Sequence, residues 1–354
     1  MKPATLQEDS IYIVGAGAQT PVGRGVLSAA AAVRCRLSAY AEHPFMFDEH
    51  GEPMIVARAG WLDETQPLED RIVTLAVDAA QEALRPLDAR ASTLRRQVRV
   101  HLALSNETVS GAAQRQKILD RFAAGTGFAS DSSVEVIVDG HAGGLLVLEN
   151  AVRQLRSGEA QLCVVGGADS WLDPEQLDAL DRAGRLRSAE HRWGFTPGEG
   201  AGFCLVTTGA AARRFALPPL AELLGVATAR ETKLMDTRSI CIGEGLTAAF
   251  LGVLDPRHRV AHSYCDFNGE TYRADEYGFT ICRTSECFEN AGSFTAAADC
   301  WGDVGAASGP LALTLPLAAW ARGYAMGPVT LAWSSSARSS LRAAALLKKA
   351  TRSD

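Results

Sequence analysis

Hydrophobic and polar positions recur along this chain with two periods. Short apolar or β-branched runs, bounded by glycine or polar residues, predict strands over Ile11–Val14, Val98–Leu104, Val134–Val138, Leu162–Val165, Gly202–Thr207 and Val329–Trp333. Between them the period lengthens to that of a helix. Arg71–Leu84 places Ile72, Leu75, Ala76, Ala79 and Ala83 on one face at three- and four-residue steps, and Leu145–Leu155 and Gly245–Leu254 read the same way. Strands alternating with helices predict βα units and parallel pairing. The longest uncharged stretch, Val304–Ala321, approaches the roughly 20 residues that span a bilayer. Its Gly, Ser, Thr and two prolines instead favour a buried core helix, so no membrane span is expected.

Two segments resemble each other. Gly140-His141-Ala142-Gly143 opens an apolar helix to about Arg156, followed by Gly158 and the strand Leu162–Val165. Gly302-Asp303-Val304-Gly305 opens a second apolar helix to about Arg322, followed by Gly327 and the strand Val329–Trp333. A duplicated α/β unit gives two similar halves, residues 1–215 and 216–354, meeting near Ala216-Leu217-Pro218-Pro219.

Composition narrows the class of protein. At 354 residues, 47% hydrophobic and 21% charged, with a mean hydropathy of zero, the chain has the material for a large buried core, which excludes intrinsic disorder and collagen-like repetition. A net charge of −6, from 35 basic and 41 acidic residues, supplies no net positive field for a phosphate backbone, so nucleic acid is not expected as a partner. The eight cysteines form no C-x-x-C pair and read as reduced thiols in cytoplasm. No apolar run precedes Ile11, and no secretory signal is expected.

Two motifs weaken on inspection. Ile11-Tyr12-Ile13-Val14-Gly15-Ala16-Gly17 is similar to the start of a dinucleotide-binding fingerprint, but position 20 is threonine and no strand ending in an acid follows about 20 residues on. No nucleotide or other cofactor is expected. His258, His262, Cys265 and Asp266 have spacing that could suggest zinc, yet Pro256 precedes them and Val260–Phe267 reads as extended, so no metal is expected.

The strongest signal is a set of segments in register. Gly194-Phe195-Thr196-Pro197-Gly198-Glu199-Gly200-Ala201-Gly202 resembles the GF-x-x-GEGAG element of β-ketoacyl synthases, members of the thiolase superfamily. Val14–Gly23 resembles their N-terminal strand and turn, Ala142–Ala151 with Ser157–Ala160 and Val165–Ala168 their nucleophile helix and next strand, and Gly302–Gly309 the GH-x-x-GAAG start of the matching helix in the second half. The resemblance covers nearly the whole chain. It implies a five-layered α-β-α-β-α fold, usually dimeric, that condenses acyl thioesters. In that chemistry a cysteine at a helix N-terminus is acylated, two histidines stabilise the carbanion from decarboxylation, and backbone N–H groups hold the oxyanion.

Carried over residue by residue, the catalytic positions differ. With Gly144 and Ala151 in register the nucleophile position falls on His141, and no cysteine or serine lies between Val134 and Arg156. The first catalytic histidine, of an N-x-H-G-T element, is replaced by Asn268 within Asp266-Phe267-Asn268-Gly269-Glu270. Asp303 replaces the second histidine, Ala298 occupies the lysine position, and Ser334–Arg338 replaces the glycine-rich C-terminal loop. Cys163 and Cys265 lie in predicted strands, where an inert buried thiol is the ordinary role. Glu199 is architectural in the family.

Two functions fit this pattern. The first is a degenerate ketosynthase-like protein acting by binding, either a homodimer or a heterodimer with another thiolase-fold chain. The resemblance offers two precedents: the chain-length factor that pairs with an active ketosynthase in type II polyketide systems, and thiolase-like accessory or chaperone-like factors encoded beside type VI secretion effectors, which would hold a protein client. The second is an acyl-thioester hydrolase, decarboxylase or acyltransferase in which His141, Asp266, Glu270, Asp303 and Arg338 form a rewired acidic pocket. Against that pocket stands simple pairing of His141 with Asp303, or capping of the two helices they precede.

Overall fold

The computed structural model describes residues 6–88, 92–95, 97–128, 134–234, 237 and 239–350. In chain order its strands are β1 (Ile11–Thr20), β2 (Gly23–Arg24), β3 (Tyr40–Phe47), β4 (Pro53–Ala57), β5 (Val98–Leu104), β6 (Val134–Val138), β7 (Leu162–Ser170), β8 (Glu199–Thr208), β9 (Ala221–Arg230), β10 (His262–Cys265), β11 (Phe294–Ala296), β12 (Val329–Ser335) and β13 (Leu341–Lys349). Its helices are α1 (Val26–Arg34), α2 (Leu68–Asp88), α3 (Ser92–Arg95), α4 (Ala112–Thr126), α5 (Gly143–Ser157), α6 (Pro174–Arg182), α7 (Gly209–Arg214), α8 (Glu244–Leu251), α9 (Thr271–Thr284), α10 (Ala298–Trp301) and α11 (Ser308–Ala321). The strands run β11-β10-β12-β13-β9-β1-β8-β7-β5-β6, with β2 beside β1 and β3–β4 as a separate hairpin.

The pairing senses repeat on either side of the β9–β1 junction. From β1 outward, β8 and β7 are added antiparallel, then β5 and β6 parallel. From β9 outward, β13 and β12 are added antiparallel, then β10 and β11 parallel. Helix α2 covers β1, β8 and β7 with α4 outside it, α5 and α11 lie between the two groups of strands, and α8 packs on β9 and β13 with α9 alongside. These are the five layers of the thiolase-like α/β fold, formed from two similar halves. One apolar core surrounds α5 and α11, and one lies beneath each outer helical layer.

Periodicity locates these elements well where one face is buried. Ile72, Leu75, Ala76, Ala79 and Ala83 of α2 are all 0–1% exposed, and Val304–Ala321 supplies a 3₁₀ turn followed by the buried helix α11. No helix among the described residues is long and apolar enough to cross a membrane. The pattern missed β2, β3, β4, β9, β11 and β13. Leu341–Lys349 is rich in alanine and leucine, good helix formers, yet it is a strand because β9 and β12 take its backbone hydrogen bonds on both sides. Its alanines also let α5 and α8 pack closely on the two faces.

The glycines of the partial nucleotide fingerprint have a packing role. A Cβ on Gly15 would lie 2.1 Å from the Ala83 carbonyl oxygen, and one on Gly17 1.9 Å from that of Ala79, so β1 meets α2 backbone to backbone. The turn beyond is filled by Glu82, whose carboxylate accepts from the Ala18 and Val26 N–H groups at 3.0 and 3.2 Å. A carboxylate there repels the phosphates that such a turn would cradle.

Candidate functional site

Helices α5 and α11 approach at their N-terminal ends because both carry glycine there. A Cβ on Gly144 would stand 2.2 Å from Pro310 Cδ, and one on Gly309 2.9 Å from Leu145 Cγ. This crossing sets His141, two residues ahead of α5, against Asp303, ahead of the 3₁₀ turn Gly305–Ala307 that leads into α11. His141 Nε2 lies 2.8 and 2.9 Å from the two Asp303 carboxylate oxygens, with side chains 1% and 2% exposed. Asp303 also accepts from Trp171 Nε1 at 3.0 Å, Asn268 Nδ2 at 2.6 Å and the Gly305 N–H at 2.8 Å. All three are N–H donors, a set that favours the carboxylate form of Asp303.

The charges follow. Burial raises the Asp303 pKa, but the His141 charge, its hydrogen bond and Arg273 outweigh it and hold the carboxyl well below its ordinary range. Burial lowers the His141 pKa, and the Asp303 carboxylate reverses this to a net upward shift. The Asp303 carboxylate therefore favours the charged form of His141, whose Nδ1 has no hydrogen-bond partner among the described residues. A cation at a helix N-terminus is unfavourable and an anion is favourable, so Asp303 both caps its own turn and sustains the charge on its partner.

From this pair a ladder of opposite charges runs to solvent. Asn268 Nδ2 also donates to Glu270 at 2.9 Å, and Arg185 donates to Glu270 at 3.0 and 3.1 Å and to Glu107 at 3.3 Å. Arg338, 58% exposed, lies 3.5 Å from Glu107 at the outer end. Asp266 lines a small void beside Asp303. The fully buried Arg273 donates to it at 2.7 Å, and the Ser335 N–H at 2.9 Å. Of the residues expected to form an acidic pocket, His141, Asp303 and Glu270 are joined through Asn268, Asp266 is paired with Arg273, and Arg338 stands at the outer end beside Glu107.

The C-terminal loop closes over the same turn. Ser336 Oγ accepts from the Ala142 N–H at 3.0 Å and donates to the Asp139 carbonyl at 2.8 Å, while Ser334 Oγ donates to the His141 carbonyl at 3.2 Å. The backbone donor beside position 141 is thus already bonded. The void touching Asp303 is about 10 Å³, lined also by Tyr264, Asp266, Ala298 and Ser308, space for roughly one water.

The thiols stay apart from this chemistry. All eight cysteines are free; burial pushes the Cys163 thiol up to about 12 and the Cys265 thiol higher still. Cys265 donates weakly to the Thr295 carbonyl. The suggested zinc set does not converge: His262 bonds the Ser293 and Thr295 hydroxyls, both at 2.8 Å, and His258 sits beside Asp255. Sequence reasoning did not find Glu107, Trp171, Arg185 or Arg273. They lie on separate elements, and nothing in their spacing marks their convergence. Only the proximity of Arg273 to Glu270, three residues apart at a helix start, could have pointed to one of them.

A second buried acid supplies a pH test. Burial raises the Asp169 pKa from 3.8 to about 7, despite donors from Thr108 and the Ala306 and Ser170 N–H groups. The folded chain holds a proton here that the unfolded chain releases, so stability falls as pH rises through this window. Asp169→Asn is expected to remove a slope of up to about 1.4 kcal/mol per pH unit between roughly pH 5 and 7. Urea denaturation at several pH values reads it; an unchanged slope contradicts the assignment.

Comparison with known proteins matches this geometry to a family. The model described as "Beta-ketoacyl synthase, N-terminal domain" matches residues 8–212, more than half of the chain. Among solved structures, a type II polyketide ketosynthase in complex with its acyl-carrier protein and bound to the hexaketide superposes with a TM-score of 0.78 at 16% identity, covering 98% of this chain and 100% of that one. The ishigamide ketosynthase/chain length factor gives 0.70 at 20% identity, covering 97% and 100%. The oxazolomycin ketosynthase domain of Streptomyces albus gives 0.74 at 15%, covering 98% and 75%. Comparison with curated proteins finds no match. With these structures showing the fold and the family model covering the elements that carry His141, Asp169 and Glu199, the chain belongs to the β-ketoacyl synthase family.

Proposed function

We propose that this chain is a catalytically degenerate β-ketoacyl synthase-family protein that acts by binding another protein in the cytoplasm. One observation carries the reading: His141, at the position aligned with the family's nucleophile, is 1% exposed and hydrogen-bonded to the buried Asp303, with Ser336 on the adjacent backbone donor. Asp303 takes one ring nitrogen, and the void beside the pair, about 10 Å³, has no room for a thioester. A rewired acyl-thioester enzyme using His141 and Asp303 could keep the pair, with Asp303 orienting the ring, but its substrate would first have to reach a side chain that is 1% exposed.

The binding role has two forms, a chain-length-factor-like subunit paired with another thiolase-fold chain, and an assembly or chaperone-like factor for a client such as a type VI secretion effector. The absence of a histidine at 268 and 303 and of a lysine at 298 supports the second, since a scaffold has no need of them. Within the same proposal the halves divide at 215/216, and the edge strand β6, half-buried at Val134, Val136, Ile137 and Val138 and paired only with β5 among the described residues, is the pairing surface for a homo- or heterodimer.

Co-purification from native cells, followed by mass analysis, is expected to recover a protein in stoichiometric amount. Val136→Lys is expected to convert the dimer to monomer in sedimentation velocity, with the fold retained by circular dichroism. Recovery of a lone homodimer with no client contradicts the assembly-factor reading, and an unchanged dimer in Val136→Lys contradicts the use of β6.

A further inference from the structure

A groove of about 640 Å³ lies on the opposite side of Tyr264 and Leu315 from the void at Asp303. Its size falls in the range of small-molecule sites. The floor is formed by β10 and β11, where Tyr264 and Thr295 are paired in register and His262 lies two residues along the same strand face as Tyr264. Its walls are α1, the C-terminal end of α11 and the segment beyond it, and α10.

The lining is polarised. Its inner part is apolar and buried, with Ala30 at 3%, Leu315 at 5% and Tyr264 at 8% exposed. Its rim carries the exposed Arg34, Arg36 and Asp299, a net positive mouth on a chain of charge −6. Among the described residues neither arginine has a carboxylate within ion-pair distance. The Arg34 guanidinium lies 4.2 Å from the Tyr324 ring centroid, a contact that orients it and leaves its N–H groups for a ligand. Tyr264 adds a hydroxyl with no hydrogen-bond partner among the described residues. Burial keeps it protonated, hence a donor. Burial also lowers the His262 pKa, which favours the neutral ring, and its two nitrogens hold the Ser293 and Thr295 hydroxyls in place.

From this arrangement we infer that the groove binds a small amphiphilic anion, with a carboxylate or phosphate head held by Arg34 and Arg36 and an apolar body lying against Val33, Tyr264, Leu315 and Met326. A head of that charge complements the two guanidinium groups bidentately, and the apolar body removes inner surface from water. The site is independent of His141 and of the partner proposed above.

Isothermal titration of the full chain with octyl phosphate, octanoate, octanol and inorganic phosphate tests it. One saturable site per chain is expected for at least one of the two amphiphilic anions, with the tighter of the two identifying the head group. Octanol and inorganic phosphate are expected to bind at least about tenfold more weakly than that anion. The double variant Arg34→Glu/Arg36→Glu, altered at exposed positions only, is expected to lose at least about tenfold in affinity with its unfolding midpoint unchanged. Val33→Trp, which narrows the groove without altering a charge, is expected to weaken the same ligand. Absence of saturable binding by both anions overturns the inference, as does octanol or inorganic phosphate binding equally well, or undiminished affinity in the charge-reversed variant.

Discussion

Asp303→Ala is expected to lower the unfolding free energy by about 3–5 kcal/mol, the range for removing one partner of a buried ion pair. It removes the partner of His141 and leaves Trp171 Nε1, the Asn268 amide and the Gly305 N–H without their shared acceptor. The variant should also change the pH response. With Asp303 present the folded His141 pKa is raised, so its stabilisation is complete below 6.5 and is lost as pH rises through the folded value. Without Asp303, burial dominates and the folded pKa is lowered; the contribution of His141 to stability is then lost as pH falls below 6.5. Urea denaturation from acidic to mildly alkaline pH reads both effects. A loss below about 1 kcal/mol with an unchanged pH response would show that the pair contributes little.

Glu199→Ala is expected to destabilise the fold by a similar amount, about 3–5 kcal/mol. Glu199 is 0% exposed. It accepts two hydrogen bonds from the 3%-exposed Arg71 at 2.9 and 2.6 Å, the Ala59 N–H at 2.8 Å and the Ser170 hydroxyl at 3.1 Å. The pair ties α2 to the start of β8, so its loss leaves a guanidinium buried without a counter-charge. Glu199→Gln, which keeps one acceptor oxygen, replaces the other with an NH₂ donor and loses the charge, should fall between parent and alanine variant. If Glu199 were instead an acid or base, the alanine variant would remain within about 1 kcal/mol of the parent while losing a measurable activity.

How far the chain could be read from its sequence follows from what each feature depends on. Helix α2 and strands β5 and β6 were legible because their periodicity is set by one buried face. Strand β13 was not, since its alanines and leucines favour a helix in isolation and only pairing with β9 and β12 overrides them. The exchange of His141 and Asp303 into facing helix starts was visible, and their pairing was one of the arrangements the sequence allowed. The ladder through Glu107, Arg185 and Glu270 was not, because long-range convergence of single charges leaves no periodic trace. Ser336 shows the same limit: a hydroxyl in a serine run carries no sign that it will occupy the N–H of Ala142.

The central claim is that the ketosynthase scaffold is kept while its chemistry is not. It is tested most directly by incubating the purified protein with malonyl and acyl thioesters of coenzyme A and of an acyl carrier protein, then following free thiol release and intact protein mass. The account predicts no thiol release above the uncatalysed rate, no acyl adduct on the chain, and the same null result for His141→Ala. Turnover or an acyl adduct that is present in the parent and disappears in His141→Ala would contradict it.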